Sequence, residues 1–376
     1  MTTTHRRTAA RSVAERCTAR GHFRGVWPAA LLALAAAVAL AAGACGSAVQ
    51  APAAGASASP GGAITAASRS AIARPEVAQV TLIMDWVPWV LDIPIDVAQA
   101  KGYYGRDGLT VKQIVPSGAT DVAKFVATGK AQFGLYYAPD TLMGVAAGAP
   151  LVSVGALMSH APVGMAFAPG VTATTPKDLG GQIAGVPLIP STRASFASML
   201  AAGGVQPGSV HVVDPGFDLV APLLAGRYRA VAVTRFGELV QAEAQAGKLS
   251  YLDFRDWGTP DYSFLAMISD RDFAKAHPAT VRAFVRATLE GLAWAAAHPQ
   301  EAVGLYVARH QELKKDLLLA QWKAALPSMA AAGAHPAGWQ DPASWTALDH
   351  WLTKEGVLTK PVDVAQVMTN QYLPAP

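Results

Sequence analysis

The sequence predicts an α/β fold built on mainly parallel sheets. Three observations predict it. Short apolar, β-rich runs alternate with helical stretches along the chain: VTLIM, LTVKQIV, AQFGLYY, PLVSVGAL, GMAFA, QIAGVPL, SVHVVD and RAVAVT. The first two runs flank a helix-length segment, a strand–helix–strand unit. Apolar residues make up 52% of the 376-residue chain, enough for two cores.

The first run ends abruptly in Asp85-Trp86, and a loop with Pro88 and Trp89 follows. Ligands of open α/β sheets bind outside the carboxyl ends of the strands. Asp85, Trp86 and Trp89 are therefore expected where a small molecule would be held. A helix of about Pro94–Lys101, closed by Gly102, leads into LTVKQIV. Further on, Val281, Phe284, Val285, Thr288, Leu289 and Leu292 form one stripe of an amphipathic helix near Pro278–His298. Pro278, Pro299 and Pro336 each follow a His and each suits a first helical position. No repeat recurs at a period of about 20–50 residues.

Residues 1–44 read as a signal peptide. Arg6, Arg7, Arg11, Arg16, Arg20 and Arg24 form a basic start, and the apolar run Val26–Ala44 ends in small residues directly before Cys45. That pattern is a lipoprotein cleavage box with Cys45 as the lipid site; ordinary cleavage near Ala44 or an uncleaved anchor are the alternatives. Residues 45–78 are rich in Ala, Ser, Gly and Pro and read as a flexible tether. The location expected is extracytoplasmic, on the cell membrane.

The formal charge of +4 belongs to the leader, which holds six of the 30 basic and one of the 26 acidic residues. The remainder carries 24 basic against 25 acidic side chains, a net −1. Nucleic acid is not an expected partner. The only cysteines are Cys17 and Cys45, so the domain has no disulfide, no thiol nucleophile and no thiolate metal site. G-x-S-x-G, Walker, G-x-G-x-x-G and H-E-x-x-H motifs are absent, and the nine His show no metal-ligand spacing. No catalytic residue, metal or cofactor is expected, and the chain reads as a binder and not an enzyme.

The segment MDWVPWVLDIPIDVAQAKGYYGRDGLTV, Met84–Val111, resembles the opening of extracytoplasmic solute-binding proteins of the thiamine-pyrimidine-precursor family. Its features are a strand ending in Asp-Trp-x-Pro, a helix, Lys-Gly-Tyr and Gly-Leu. Pro-Asp-Tyr at 260–262, the long helix after it and His-Pro-x-Glu-Ala at 298–302 carry the resemblance onward, so that it spans about Val80–Tyr306. It implies a two-lobed periplasmic-binding-protein fold of class II, each lobe a mainly parallel sheet flanked by helices. Lobe 1 would be discontinuous, residues 79–164 and 259–376, with lobe 2 at 165–258. The implied partners are a small ligand and the permease and ATPase subunits of an ABC importer, with the protein a monomer. The pyrimidine synthases of this fold carry a cysteine-rich iron motif that this chain lacks.

The candidate ligand groups are Asp85, Trp86, Trp89, Tyr137, Ser191, Thr192, Phe236 and Glu238. A Trp face is a platform for a flat heterocycle, and a carboxylate accepts from an exocyclic amine. A strand-end turn with a core indole is the alternative account of Asp85 and Trp86, and the strand-end position with flanking Pro88 and Trp89 favours the site. Of Tyr136-Tyr137, alternation along a strand sends one ring to the cleft, and Tyr137 is the one expected. Ser191 and Thr192 open a helix, where free N–H groups suit an anion or carbonyl; capping explains Ser191 equally well. Arg193 is open to two readings, a partner for an anion and a solvated charge, of which the second is expected. Glu238 opens another helix, as surface acids commonly do; the resemblance places an aromatic and a Glu here on an aminopyrimidine, with Phe236 standing where Tyr or Trp is usual and offering no hydroxyl. Tyr103, Tyr104, Trp339, Trp345 and Trp351 are expected in the core or on helix faces. Hydroxymethyl- or formylaminopyrimidine is the expected ligand, with riboflavin, sulfonate or nitrate as alternatives and a pyrimidine-processing enzyme as the alternative of another class.

Overall fold

The computed structural model describes residues 73–375 except 119–120, 217 and 331–332. The leader, Cys45 and nearly all of the tether lie outside the described residues.

The first sheet contains β1 (Gln79–Ile83), β2 (Thr110–Ile114), β3 (Phe133–Tyr137) and β4 (Leu151–Met158), all mutually parallel, and β10 (Leu265–Asp270), which runs against them in the order β2-β1-β3-β10-β4. The second contains β6 (Ile183–Gly185), β7 (His211–Val213), β8 (Ala230–Thr234) and β9 (Tyr251–Asp253) around an antiparallel β5 (Val163–Phe167), in the order β7-β6-β8-β5-β9. With only the parallel strands of each sheet numbered in chain order, both sheets read 2-1-3-4 with the antiparallel strand between 3 and 4. The chain leaves the first sheet after β4, enters the second as its antiparallel strand, and returns to the first as β10, again antiparallel. All eight residues of β4 are buried, as an apolar run covered on both faces should be. This is the mixed α/β, two-sheet architecture the sequence predicts.

Helices α1 (Ile93–Ala100), α2 (Tyr103–Arg106), α3 (Asp121–Ala127) and α4 (Ala138–Ala146) connect the strands of the first sheet. Those of the second are α5 (Pro190–Ala202), α6 (Val220–Leu224) and α7 (Glu238–Ala246). After β10 come α8 (Arg271–Ala276), α9 (Pro278–Ala297), α10 (Pro299–Val307), α11 (Lys315–Ala325), α12 (Pro342–Lys354) and α13 (Val364–Val367). They share one core with the first sheet, centred on Phe133, Phe284, Trp322 and Trp345. The second sheet has a smaller core on each face, one around Phe167 and Phe196, the other around Val231 and Leu239.

The predicted stripe of α9 is buried throughout, from Val281 to Leu292. Its start is capped from 200 residues upstream: Glu76 accepts from the N–H groups of Ala279 and Thr280 and from the Thr280 hydroxyl. Those bonds hold the carboxyl of Glu76, an exposed residue, down at about 2 against the opposing effect of partial desolvation, the largest single influence. At Gly291, a Cβ would lie 2.2 Å from the Pro94 carbonyl, so α1 and α9 approach closely only because that side chain is missing.

Pro278 and Pro299 occupy first helical positions as predicted. Pro336 does not. It lies in a loop, and the next helix begins at Pro342, where Asp341 accepts from the Ala343 N–H at 3.0 Å. Pro342 has an acidic cap that Pro336 lacks, although Pro278 and Pro299 open helices behind a His with no acid in the capping position. Tyr104, Trp345 and Trp351 are in the core as expected. Trp339 is half-buried and stacks on His335 beside a surface cavity of about 410 Å³.

Candidate functional site at the strand ends

Met84 continues β1 by one residue through a bond to the Ile114 carbonyl. The next residue, Asp85, is therefore delivered to the sheet's carboxyl edge, where it is only 3% exposed. Its Oδ2 accepts from the Tyr137 hydroxyl at 2.6 Å and its Oδ1 from the Trp89 indole N–H at 3.3 Å. Tyr137 is the last residue of β3, directly alongside β1. Burial pushes the Asp85 carboxyl up to about 6, with the Tyr137 and Trp89 bonds opposing it.

The Trp89 backbone is fixed by a second buried acid. Asp92 Oδ2 accepts from the Trp89 N–H at 3.2 Å and from the Tyr306 hydroxyl at 3.2 Å. Asp92 Oδ1 is buried with no hydrogen-bond partner. Burial, reinforced by the nearby Asp85 charge, drives the Asp92 carboxyl well above its usual range. A protonated acid here removes most of the cost of an unpaired buried charge.

From the second sheet, β8 ends at Thr234 and presents Phe236, which is fully buried. Its ring centroid lies 5.5 Å from that of Trp89, tilted by 42°. Phe264, just before β10, closes the ring cluster at 4.9 Å from Tyr137 and 6.3 Å from Phe236. Asp85, Trp89, Tyr137 and Phe236 thus meet from three strand ends on two sheets. Asp140, two residues into α4, has its carboxyl pushed up to about 7 by burial.

The other predicted groups lie differently. Glu238 is half-buried, and its Oε2 accepts from the Thr234 N–H at 2.9 Å and the Thr234 hydroxyl at 2.7 Å. Its charge also helps to raise the Tyr137 hydroxyl, after burial and Asp85. Trp86 is half-buried, and the indole that pairs with Phe236 is that of Trp89. Ser191 is buried and Thr192 half-buried at the start of α5, whose capping position is held by Ile189 and not by a Ser191 bond. Arg193 is not the solvated charge expected: it is half-buried, donates to the Val186 carbonyl at 3.3 Å, and its Nε is buried without a partner.

Two members of the cluster escaped the sequence reading. Phe264 stood inside an apolar run with nothing to separate it from core residues. Asp92 was signalled only by an acid before Ile-Pro at a helix start, which is commonplace. Among the described residues, no group of three His, Cys, Asp or Glu is placed to hold a metal.

The profile of proteins described as NMT1/THI5-like matches residues 92–302, more than half of the chain. The chain belongs to the NMT1/THI5-like family. Among its relatives is a formylaminopyrimidine-binding protein of Halalkalibacterium halodurans, 29% identical over 287 residues, covering 75% of this chain and 87% of that one. The riboflavin-binding protein RibY of Chloroflexus aurantiacus is 29% identical over 322 residues, 80% of this chain and 88% of that one. A 4-amino-5-hydroxymethyl-2-methylpyrimidine phosphate synthase of Legionella pneumophila is 23% identical over 303 residues, 79% and 92% of the two chains. The solved periplasmic aliphatic sulphonate binding protein SsuA of Escherichia coli superposes with a TM-score of 0.64 at 15% identity, over 77% of this chain and 97% of its own. This member of the NMT1/THI5-like family thus has the periplasmic-binding-protein fold.

Proposed function

We propose that this chain is the solute-binding subunit of an ABC importer and captures a small flat heterocycle between two lobes, a thiamine pyrimidine precursor being the best match. The observation that carries the proposal is the convergence of Trp89, Phe236, Tyr137 and Phe264 around the buried Asp85 carboxyl. Aromatic walls from both sheets suit a planar ring, and a carboxylate at their edge suits an exocyclic amine or a protonated ring nitrogen. The 29% identity to a formylaminopyrimidine-binding protein supports the ligand class. Trp86, Ser191, Thr192 and Glu238 are proposed as further ligand groups.

The lobes proposed are 79–164 with 259–376, and 165–258. The two sheets, and the two smaller cores formed around the second, support that division. Closure would present the protein to a permease and its ATPase, with the protein a monomer tethered through a lipid on Cys45. Among the described residues no helix is long and apolar enough to cross a membrane. A binder is favoured over a synthase because the cysteine-rich iron motif is missing from the sequence.

Riboflavin is the second reading, on the strength of an equal identity to RibY. Calorimetric titration of the purified protein with formylaminopyrimidine, hydroxymethylpyrimidine, riboflavin and an alkanesulfonate separates the readings. A pyrimidine binding at least about tenfold tighter than the others supports the first. Preference for the sulfonate removes the aromatic-site account altogether.

A further inference from the structure

Helix α11 belongs to the core of the first sheet. Leu318, Trp322 and Ala325 form its buried stripe, and the Trp322 indole, fully buried, donates to the Ala295 carbonyl of α9 at 3.0 Å. Such an anchor makes α11 move with the first sheet. Gln321 stands beside Trp322, at the edge of that stripe, and reaches the other sheet's territory. Its Nε2 donates to the Gly237 carbonyl at 3.2 Å.

Gly237 lies between Phe236 and Glu238. The turn around it is knotted to the end of β8. The Thr234 hydroxyl accepts from the Gly237 N–H at 3.1 Å and donates to Glu238, whose carboxylate also takes the Thr234 N–H. A Cβ on Gly237 would lie 2.5 Å from the Thr234 hydroxyl, so any other residue would push that hydroxyl out of the knot. The turn therefore moves with the second sheet. A bond between two parts locked to different sheets must break when the sheets separate. The same helix packs against the Val90–Asp92 turn that follows Trp89, so it touches both carriers of the Trp89–Phe236 pair.

We infer that Gln321 is a closure latch: a positioning residue that biases the two lobes shut, acting on the site through the Gly237 carbonyl and not through the ligand. The inference rests on the two-lobed, closing-receptor reading but not on the ligand's identity. A latch made only in the shut state slows opening and leaves encounter unaffected. One neutral bond of this kind corresponds to about 3- to 10-fold in the closed-to-open ratio.

The test compares wild type, Gln321→Glu and Gln321→Lys. The first replaces the donor by an acceptor facing the carbonyl; the second keeps an N–H donor on a long side chain. Small-angle scattering without ligand should show Gln321→Glu more expanded than wild type and Gln321→Lys like wild type, with the melting temperatures of all three alike. With formylaminopyrimidine as the probe, Gln321→Glu should release it about 3- to 10-fold faster at an unchanged association rate. Ligand-free scattering that does not distinguish Gln321→Glu from wild type overturns the latch, as does expansion accompanied by loss of melting temperature. If wild type binds no heterocycle while Gln321→Glu is still expanded, the latch stands and the ligand reading falls.

Discussion

Tyr137 and Asp85, 52 residues apart in sequence, are joined by a 2.6 Å hydrogen bond across the ends of two adjacent parallel strands. The hydroxyl donates, so the bond favours the charged carboxylate in a place where burial disfavours it. That balance leaves Asp85 poised near the pH at which many amines and ring nitrogens are also protonated. Tyr137→Phe removes the hydroxyl and keeps the ring. The Asp85 carboxyl should then rise further. Binding at pH 7 should weaken by about tenfold, the worth of one hydrogen bond to a charged group. Calorimetry from pH 5 to 8 reads both effects; an unchanged pH profile would count against any role for this pair in binding.

The buried acids also set how stability depends on pH. Asp85, Asp92 and Asp140 all have carboxyls raised above the unfolded value of about 4. A raised carboxyl binds its proton more tightly in the folded chain, so it favours folding below about pH 4 and that advantage is lost as pH rises through the folded value. For Asp85 and Asp140 the window is about pH 4 to 7. Asp92→Asn keeps the shape without the charge. Its melting temperature should exceed that of wild type at pH 7.5 and converge with it near pH 4.5. The opposite crossing would mean that Asp92 is ionised and well solvated in the folded protein.

Glu76 has the opposite sign. Its carboxyl is held down near 2, so its stabilisation is present above about pH 4.5 and lost as pH falls through the folded value. Because Glu76 is exposed, water screens its charge, and Glu76→Ala should cost about 0.5–1 kcal/mol at neutral pH, in line with an ordinary helix cap. Urea unfolding at pH 7 and pH 3 measures it, and an equal loss at both would contradict the capping account.

Glu238 combines a structural and a proposed binding role. Its Oε2 is committed to Thr234, so a ligand would have only Oε1. Glu238→Gln keeps an acceptor for Thr234 and should leave the fold intact while weakening binding by about tenfold or more. Glu238→Ala should lower stability as well, by about 1–2 kcal/mol, because Thr234 loses its acceptor. Wild-type affinity in Glu238→Gln would reduce Glu238 to the knot around Gly237.

Most strands were legible because they are compact apolar runs, and the stripe of α9 because it is long and regular; β9, only Tyr251–Asp253, is too short to stand out. The lobed fold came from the resemblance: nothing local in GMAFA or DYSFLAMIS marks β5 and β10 as the antiparallel strands of their sheets. Within the site, Asp85 and Trp89 were legible from an acid and an indole interrupting an apolar strand. Phe264 and Asp92 were not, since their significance lies in contacts with Tyr137 and Tyr306 far away in sequence. Arg193 was misread for a similar reason. Its environment is set by how the chain turns after β6, which composition does not encode. At Ser191 capping had been left open, and only the helix start itself shows Ile189 in the capping position.

Mass spectrometry of the small molecule released on denaturing gently purified protein tests the central claim most directly. The account predicts a planar nitrogen heterocycle, in stoichiometric amount, whose mass matches an aminopyrimidine. Release of a sulfonate, or of any ligand without an aromatic ring, would contradict it.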